Sequence, residues 1–253
     1  MITDVAGFRL WSTTYVRILE IHVDAVFGGN QFVSYALHIG GLNHRNDIEF
    51  RQVMNLADIT YPDGASISML ARLSGARSVE RCPTTDLGHD LLIECARRNG
   101  GERLRVALIG GTEELVRRAR FAFEIQYGVE IVFAHNGFDP MSDDSFSNLR
   151  SANPHVVVVG MGMPIEAKFV EASRHLLPEC LILTCGGWMG FVVGDENRAP
   201  KFLQDHGGEW LFRLAQSPRR LFRRYWSGIG SFGRVAWEIT SGKFDSRAER
   251  VVK

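Results

Sequence analysis

No apolar run in this sequence can cross a bilayer: the longest strongly apolar stretch, Val156–Met163, falls far short of the roughly 20 residues a spanning helix needs. Net charge is also missing, since 29 Lys and Arg balance 29 Asp and Glu over 253 residues. Nothing global therefore points to nucleic acid, and an electrostatic partner has to be met by a local patch. Cysteine is scarce. Cys82, Cys95, Cys180 and Cys185 form no C-x-x-C pair, and their irregular spacing fits neither a disulfide framework nor a zinc site, so they are expected as small buried residues. No D-x-D element occurs; Asp143-Asp144 is contiguous, in a Ser/Asp-rich loop. A divalent ion held between two aspartates is accordingly not expected, nor is any resident metal or cofactor. The opening Met1–Trp11 carries Asp4 and Arg9 inside a short apolar stretch, unlike the basic head and long apolar run of a secretory leader, which predicts residence on the cytoplasmic side.

What is present is an alternation. Several short apolar runs end in glycine and are followed by helical stretches. Leu104–Ile109 is halted by Gly110-Gly111-Thr112 and followed by a predicted helix over Glu113–Gln126, with Glu113 and Glu114 in its first turn. Val129–Phe133 is a strand candidate, and Val156–Val159 closes on Gly160-Met161-Gly162. A helix is predicted from about Ile165 to Leu176, then a strand over Leu181–Thr184 closed by Gly186-Gly187. The N-terminal third reads as less regular, with helical stretches over Asp47–Ala57 and Ser66–Leu73 flanking the turn Tyr61-Pro62-Asp63-Gly64. Continuous β-branched runs alternating with helices indicate a parallel sheet covered on both faces. The expectation is an α/β fold: a Rossmann-like, mostly parallel sheet over 1–208, plus a basic helical C-terminal appendage over 209–253.

Three constellations could carry chemistry. The glycine turns all follow strands, where parallel sheets bind ligands. Gly110-Gly111 and Gly160-Met161-Gly162 can bring backbone N–H groups to a diphosphate at a helix N-terminus, or can serve only as tight strand-to-helix corners. Neither has the G-x-G-x-x-G or Walker spacing. Asp63, between Pro62 and Gly64, is either a turn former or a carboxylate base that takes a proton from an attacking hydroxyl. From Pro218 to Trp226, spacing at 100° per residue sets Arg219, Arg220, Arg223 and Arg224 on one side and Leu221, Phe222, Tyr225 and Trp226 opposite. A cationic, aromatic-bearing helix of this kind suits an anionic membrane surface; the alternative is a surface helix packed on its own domain. Phe232 and Trp237 add to its aromatic content.

From about Phe32 to Tyr225 the chain resembles the WecG/TagA/CpsF glycosyltransferases. The matching pieces include Ala57-Asp58-Ile59 with Pro62-Asp63-Gly64, Glu80-Arg81, Leu108-Ile109-Gly110-Gly111 and His135-Asn136-Gly137-Phe138. They continue with Asn153-Pro154, Val159–Pro164, Gly186-Gly187 with Arg198-Ala199-Pro200, and Glu209–Leu214 with Pro218, Arg220-Leu221 and Arg223-Arg224-Tyr225. The resemblance implies an inverting, metal-independent enzyme with no cofactor. It would move a hexose or N-acetylhexosamine from a UDP-sugar to an undecaprenyl-diphosphate-linked acceptor in exopolysaccharide, capsule or cell-wall polymer synthesis. It implies Asp63 as general base and Arg81 as a helper of the acceptor or leaving phosphate. Gly110, Gly111, Gly160, Gly162, Glu166, Gly186 and Gly187 would hold the nucleotide, and Arg213, Arg220 and Arg223 the lipid diphosphate. Residence would be cytoplasmic and peripheral on the inner face of the membrane, with a homo-oligomer left open.

Two departures bear on this. Where the family usually has Thr-x-Asn, 28 and 26 residues before the base, this chain has Tyr35 and Leu37; where it has Pro-Lys-Gln-Glu, this chain reads Pro164-Ile165-Glu166-Ala167. Such changes fit an altered donor pocket, or a catalytically degenerate paralogue acting as a membrane-docked assembly partner. A nicotinamide-dependent oxidoreductase also suits the strand pattern, but a glycine fingerprint after a strand and a downstream ribose acid are missing.

Overall fold

The computed structural model describes residues 1–197, 199–200, 202–203, 208–216 and 218–242. A hairpin comes first: β1 (Ile2–Val5) and β2 (Phe8–Trp11) are antiparallel and joined by Ala6-Gly7, both at positive φ, the primed two-residue turn that matches strand twist. After it come α1 (Tyr15–Phe27), β3 (Phe32–Leu37), α2 (Ile39–Leu42), α3 (Ile48–Asn55), β4 (Ile59–Pro62), α4 (Ala65–Leu73) and α5 (Thr84–Arg98). The second half contributes β5 (Arg105–Gly110), α6 (Glu113–Tyr127), β6 (Glu130–His135), α7 (Asp143–Ser151), β7 (Val156–Gly160), α8 (Ile165–Ala172), β8 (Leu181–Thr184) and α9 (Trp188–Val192). Two helices close the described chain, α10 (Glu209–Gln216) and α11 (Pro218–Thr240).

The main sheet has six strands in the order β4-β3-β8-β7-β5-β6, with every neighbour parallel. Strand alternation sends side chains to opposite faces, which builds two cores. Val157, Val159, Ala107, Ile109, Tyr35 and Leu37 join the core under α3, α4, α7, α8 and the hairpin, whereas Val156, Val158, Val106, Leu108, Ala36 and Tyr61 join the core under α1, α5, α6 and α9. All four valines of β7 are fully buried. Each contributes roughly 1.5–3 kcal/mol relative to exposure, which is why a continuous β-branched run rather than an alternating one marks a central parallel strand.

The N-terminal third proves regular: β3 and β4 are two of the six strands, at one end of the sheet. β4 has only four residues and turns at the Asp63-Gly64 corner, and β3 runs into a helix of only four residues, so neither shows the strand, glycine turn and long helix that mark β5 and α6. Helix α8 stops at Ala172, and the predicted continuation to Leu176 tightens into a 3₁₀ turn over Arg174–Leu176. Helix α5 begins after Pro83 without a side-chain cap and carries Gly88 in its interior, where a Cβ would lie 2.5–2.7 Å from the ring of Trp188. All four cysteines are free and buried.

Helix α11 runs unbroken through Gly228, Gly230 and Gly233. These have the G-x-G-x-x-G spacing, but they lie inside a helix rather than in a strand-to-helix turn, so the spacing has no nucleotide-binding meaning here. Gly228 permits close approach instead: a Cβ there would lie 2.6 Å from Cγ1 of Ile39 in α2. Val235 is fully buried and Phe232, Ala236 and Ile239 pack with it on the first core, while Asn43 Nδ2 donates to Ser227 Oγ at 2.9 Å.

Candidate functional site at the carboxyl edge of the sheet

The connection after β5 leads right to β6 and the one after β7 leads left to β8, with α6 and α8 on opposite faces. Their carboxyl ends therefore flank a topological switch point, where open α/β sheets bind ligands. Gly110 and Gly160 are register partners there. A Cβ on Gly110, at φ 138°, would lie 2.2 Å from the Gly160 carbonyl oxygen, and one on Gly160 would lie 2.6 Å from Cε of Met189. Only glycine lets these turns close on each other. The loop after β6 joins them: Gly137 N–H donates to Gly111 O at 2.9 Å, and a Cβ on Gly137 would meet both Gly110 and Met161.

Glu166 gives this edge its most unusual feature. Its side chain is 1% exposed, and one carboxylate oxygen accepts from Met161 N–H at 3.1 Å, Gly162 N–H at 2.8 Å and Gly186 N–H at 3.1 Å. Successive turn amides form an anion-binding concavity, and Glu166, in the first turn of α8, fills it with the chain's own carboxylate. It thereby ties the β7 turn to the β8 turn. In this structure the Gly162 and Gly186 amides point at Glu166; Gly187 lies beyond them beside Glu196.

Asp63 stands at the opposite end of the same edge. Its N–H donates to Leu37 O at 2.8 Å, extending the β3–β4 ladder by one residue. The Cys185-Gly186 turn lies two strands away, about 10 Å at ordinary sheet spacing. Thr84 Oγ1 donates to Asp63 Oδ2 at 3.1 Å and pairs with the Tyr61 hydroxyl at 2.9 Å. With Asp63 ionised, its carboxylate can only accept, so the single Thr84 proton goes to it and Tyr61 must donate to Thr84. The result is a relay Tyr61→Thr84→Asp63. Burial pushes the Tyr61 phenol well above its usual value, which keeps that donor in place. Burial, and then the nearby Asp63 charge, likewise hold the Cys82 thiol protonated. Thr84, 21 residues after Asp63, was not foreseen from sequence; no local spacing links them.

Arg81 is half-buried and held between two anchored neighbours. Glu80 N–H donates to Thr13 O at 3.1 Å, Tyr15 N–H donates to Glu80 Oε2 at 2.8 Å, and Cys82 N–H donates to Pro62 O at 2.9 Å. The loop thus brings Arg81 to the end of β4, beside Asp63. His38, at the end of β3 next to Asp63, was also missed; it caps α2, its Nδ1 accepting from Gly41 N–H at 3.2 Å. The residues at the Thr-x-Asn positions do not reach this edge. Tyr35 and Leu37 are fully buried in the first core, with the Tyr35 hydroxyl donating to Ala167 O at 3.3 Å.

At the β6 end, Asn136 is a buried organiser. Its Nδ2 donates to Glu113 Oε2 at 3.1 Å and Asp139 Oδ2 at 2.8 Å, and its Oδ1 accepts from the Phe138 and Asp139 N–H groups, both at 2.9 Å. This turn, whose Gly137 packs on the Gly110-Gly111 turn, presents Phe138, 78% exposed, beside the switch point.

The side chains of Arg213, Arg220 and Arg223 lie outside the described residues. Among described neighbours, the predicted apolar side of α11 divides: Leu221 is buried, whereas Phe222 and Trp226 are 57% and 70% exposed and stack with centroids 5.9 Å apart. Ile229 and Trp237 continue this exposed stripe on one helical face. Among the described residues no helix is long and apolar enough to cross a membrane, and no three His, Cys, Asp or Glu side chains converge as a metal site. The family model described as "Glycosyl transferase WecG/TagA/CpsF family" matches residues 3–244, nearly the whole chain.

Proposed function

The chain belongs to the WecG/TagA/CpsF family of glycosyltransferases, and from that premise we propose that it transfers a hexose or N-acetylhexosamine from a UDP-sugar to an undecaprenyl-diphosphate-linked acceptor. The product would enter exopolysaccharide, capsule or cell-wall polymer synthesis. The observation that carries this reading is the Asp63 carboxylate, supported by Thr84 at 3.1 Å, on the same sheet edge as the glycine turns of β5, β7 and β8.

In this reaction the acceptor hydroxyl attacks the anomeric carbon from the face opposite the diphosphate. Asp63 takes the hydroxyl proton, the new glycosidic bond forms as the bond to the diphosphate oxygen breaks, and UDP leaves with inverted configuration at the sugar. Thr84, backed by Tyr61, fixes the carboxylate for that proton transfer. Arg81 is brought beside the end of β4 by the bond from Cys82 N–H to Pro62 O; with turn amides, it would meet the charge that develops on the departing diphosphate. The donor lies along the strand ends, its base against Phe138, its diphosphate over Gly110, Gly111 and Gly160, its sugar toward Asp63. Gly162, Gly186 and Gly187, organised by Glu166, wall the middle of the pocket. No chelated cation and no cofactor enters.

Helix α11 brings the acceptor. Its stripe of Phe222, Trp226, Ile229 and Trp237 enters the interfacial region of the inner membrane leaflet, the position at which aromatic side chains are favoured. Arg213, Arg220 and Arg223 hold the lipid diphosphate. The test is UDP release from a panel of UDP-sugars with an undecaprenyl-diphosphate-linked sugar, in the presence of a chelator. Turnover in wild type and its loss in Asp63→Asn are expected; full turnover in Asp63→Asn removes the mechanism.

A further inference from the structure

The β3–β4 ladder assigns a role to a residue that neither the fold nor the family resemblance singles out. Ala36 pairs with Tyr61 and Leu37 with Pro62 in parallel register. The Asp63 N–H bond to Leu37 O carries the ladder one step further, so His38 and Asp63 are cross-strand counterparts, with backbones about one strand spacing, roughly 5 Å, apart. Side chains alternate along a strand. Ala36 and Tyr61 both face the core under α1 and α5, and Leu37 faces the other; His38 and Asp63 therefore emerge on the same side, where Thr84 already touches Asp63.

The imidazole has a defined tautomer. Gly41 N–H donates to Nδ1 at 3.2 Å, which makes Nδ1 the acceptor and leaves the proton of the neutral ring on Nε2. Beside a carboxylate this is a donor of fixed direction. The more usual suppliers of polarity on this strand, positions 35 and 37, are a buried tyrosine and a buried leucine. His38 is the first polar side chain that β3 offers beyond them.

We infer that His38 is a positioning residue for Asp63: its Nε2–H donates to the Asp63 carboxylate, which Thr84 holds from the other side, and the two donors together set the direction in which the base meets the acceptor hydroxyl. No proton changes hands between His38 and Asp63 in this role. On the Asp63 side, Thr84 at the start of α5 donates to the carboxylate, the Cys82 thiol in the loop before it feels the charges of Asp63, Asp86, Asp90 and Glu80, and Arg81 precedes Cys82 in that loop. The inference rests on the transfer reading only for its catalytic consequence; the contact itself can be tested without turnover.

Two isosteres separate the capping role from the positioning role. Asparagine places its amide oxygen near the Nδ1 position and is a good N-cap, so His38→Asn keeps the bond to Gly41 and loses the Nε2 donor. Glutamine places its amide nitrogen near Nε2, so His38→Gln keeps that donor. The first measurement is a carbon-13 titration of the Asp63 carboxyl in the full chain, assigned with Asp63→Asn. A hydrogen bond to the ionised form lowers a carboxyl pKa; His38→Asn should raise the Asp63 midpoint by roughly one unit, and His38→Gln should restore it. Equal Asp63 titrations in wild type and His38→Asn overturn the inference, whatever the activity. The second is UDP release with the lipid-linked acceptor: kcat should fall roughly tenfold to a hundredfold in His38→Asn, with KM within about twofold. Wild-type kcat in that variant, with Asp63→Asn inactive, also overturns it. Turnover persisting in Asp63→Asn removes the transfer reading instead, and leaves the titration to decide the contact.

Discussion

Replacing Glu166 with alanine removes the acceptor shared by three backbone amides, and the loss can be sized from the structure. The three bonds are 2.8–3.1 Å long and their acceptor is 1% exposed. Hydrogen bonds to a charged group are worth about 1.5–3 kcal/mol each, but they are not additive, and water entering the vacated space satisfies some of the orphaned N–H groups. A net destabilisation of about 2–4 kcal/mol results. Urea unfolding should show a lower midpoint with an unchanged slope, as expected when the native state is weakened without altering the surface exposed on unfolding. Because the nest left behind is an anion site, formate should restore part of the stability. Each tenfold rise in free formate above its dissociation constant returns about 1.4 kcal/mol, whereas wild type should not respond. Glu166→Gln, which keeps one carbonyl acceptor, should fall between the two. Unchanged stability in Glu166→Ala, or an identical formate response in wild type, would show that the carboxylate does not organise the β7 and β8 turns.

Other outcomes are as specific. Burial holds His22 at about 4, with Nε2 against Ser34 Oγ at 2.6 Å; the unfolded chain binds the extra proton between about pH 6.5 and 4, so stability is full above that window and falls by about 3 kcal/mol across it, and His22→Gln should flatten the slope in pH-dependent denaturation. Gly228→Ala should loosen α11 from α2, since its Cβ would lie 2.6 Å from Ile39, whereas Gly230→Ala, which meets nothing within 4 Å, should stabilise the helix by up to about 1 kcal/mol; thermal unfolding of both decides this. Phe138→Ala should weaken UDP binding by roughly fivefold or more in calorimetry without changing inorganic pyrophosphate binding, and equal UDP affinity contradicts the stacking assignment. Truncation after Gly208, or Trp226→Ala with Phe222→Ala, should release the protein from anionic liposomes; unchanged flotation contradicts the membrane reading of α11.

The contrast between what the sequence disclosed and what it hid has physical causes. β5, β7 and β8 were legible because central parallel strands must be apolar on both faces and end in glycine where their turns close on each other, as at Gly110, where a Cβ would lie 2.2 Å from the Gly160 carbonyl oxygen. α6 was legible from its capping Thr112 and acidic first turn. α5 was not, because its interior glycine makes room for Trp188, a partner 100 residues away that no local pattern announces. In the site, Asp63 was visible through its Pro-Asp-Gly corner and the resemblance, but its partner Thr84 became visible only through the packing of α5 against the end of β4, and its ladder counterpart His38 only with the strand register. Glu166 was read as a pocket residue with a carboxylate in place of an amide; in the structure that carboxylate is bound to the turns themselves. The apolar side of α11 was expected to face one environment and faces two, because docking through Leu221, Val235 and Gly228 rotates Phe222 and Trp226 outward.

The central claim is tested most directly by UDP release from purified full-length protein supplied with UDP-sugars, an undecaprenyl-diphosphate-linked sugar and a chelator. Wild type should turn over, and Asp63→Asn should lose about a hundredfold to ten-thousandfold in kcat with UDP binding retained, the range expected when the base of a proton transfer is removed. Wild-type kcat in Asp63→Asn would contradict the assignment of that carboxylate as the base.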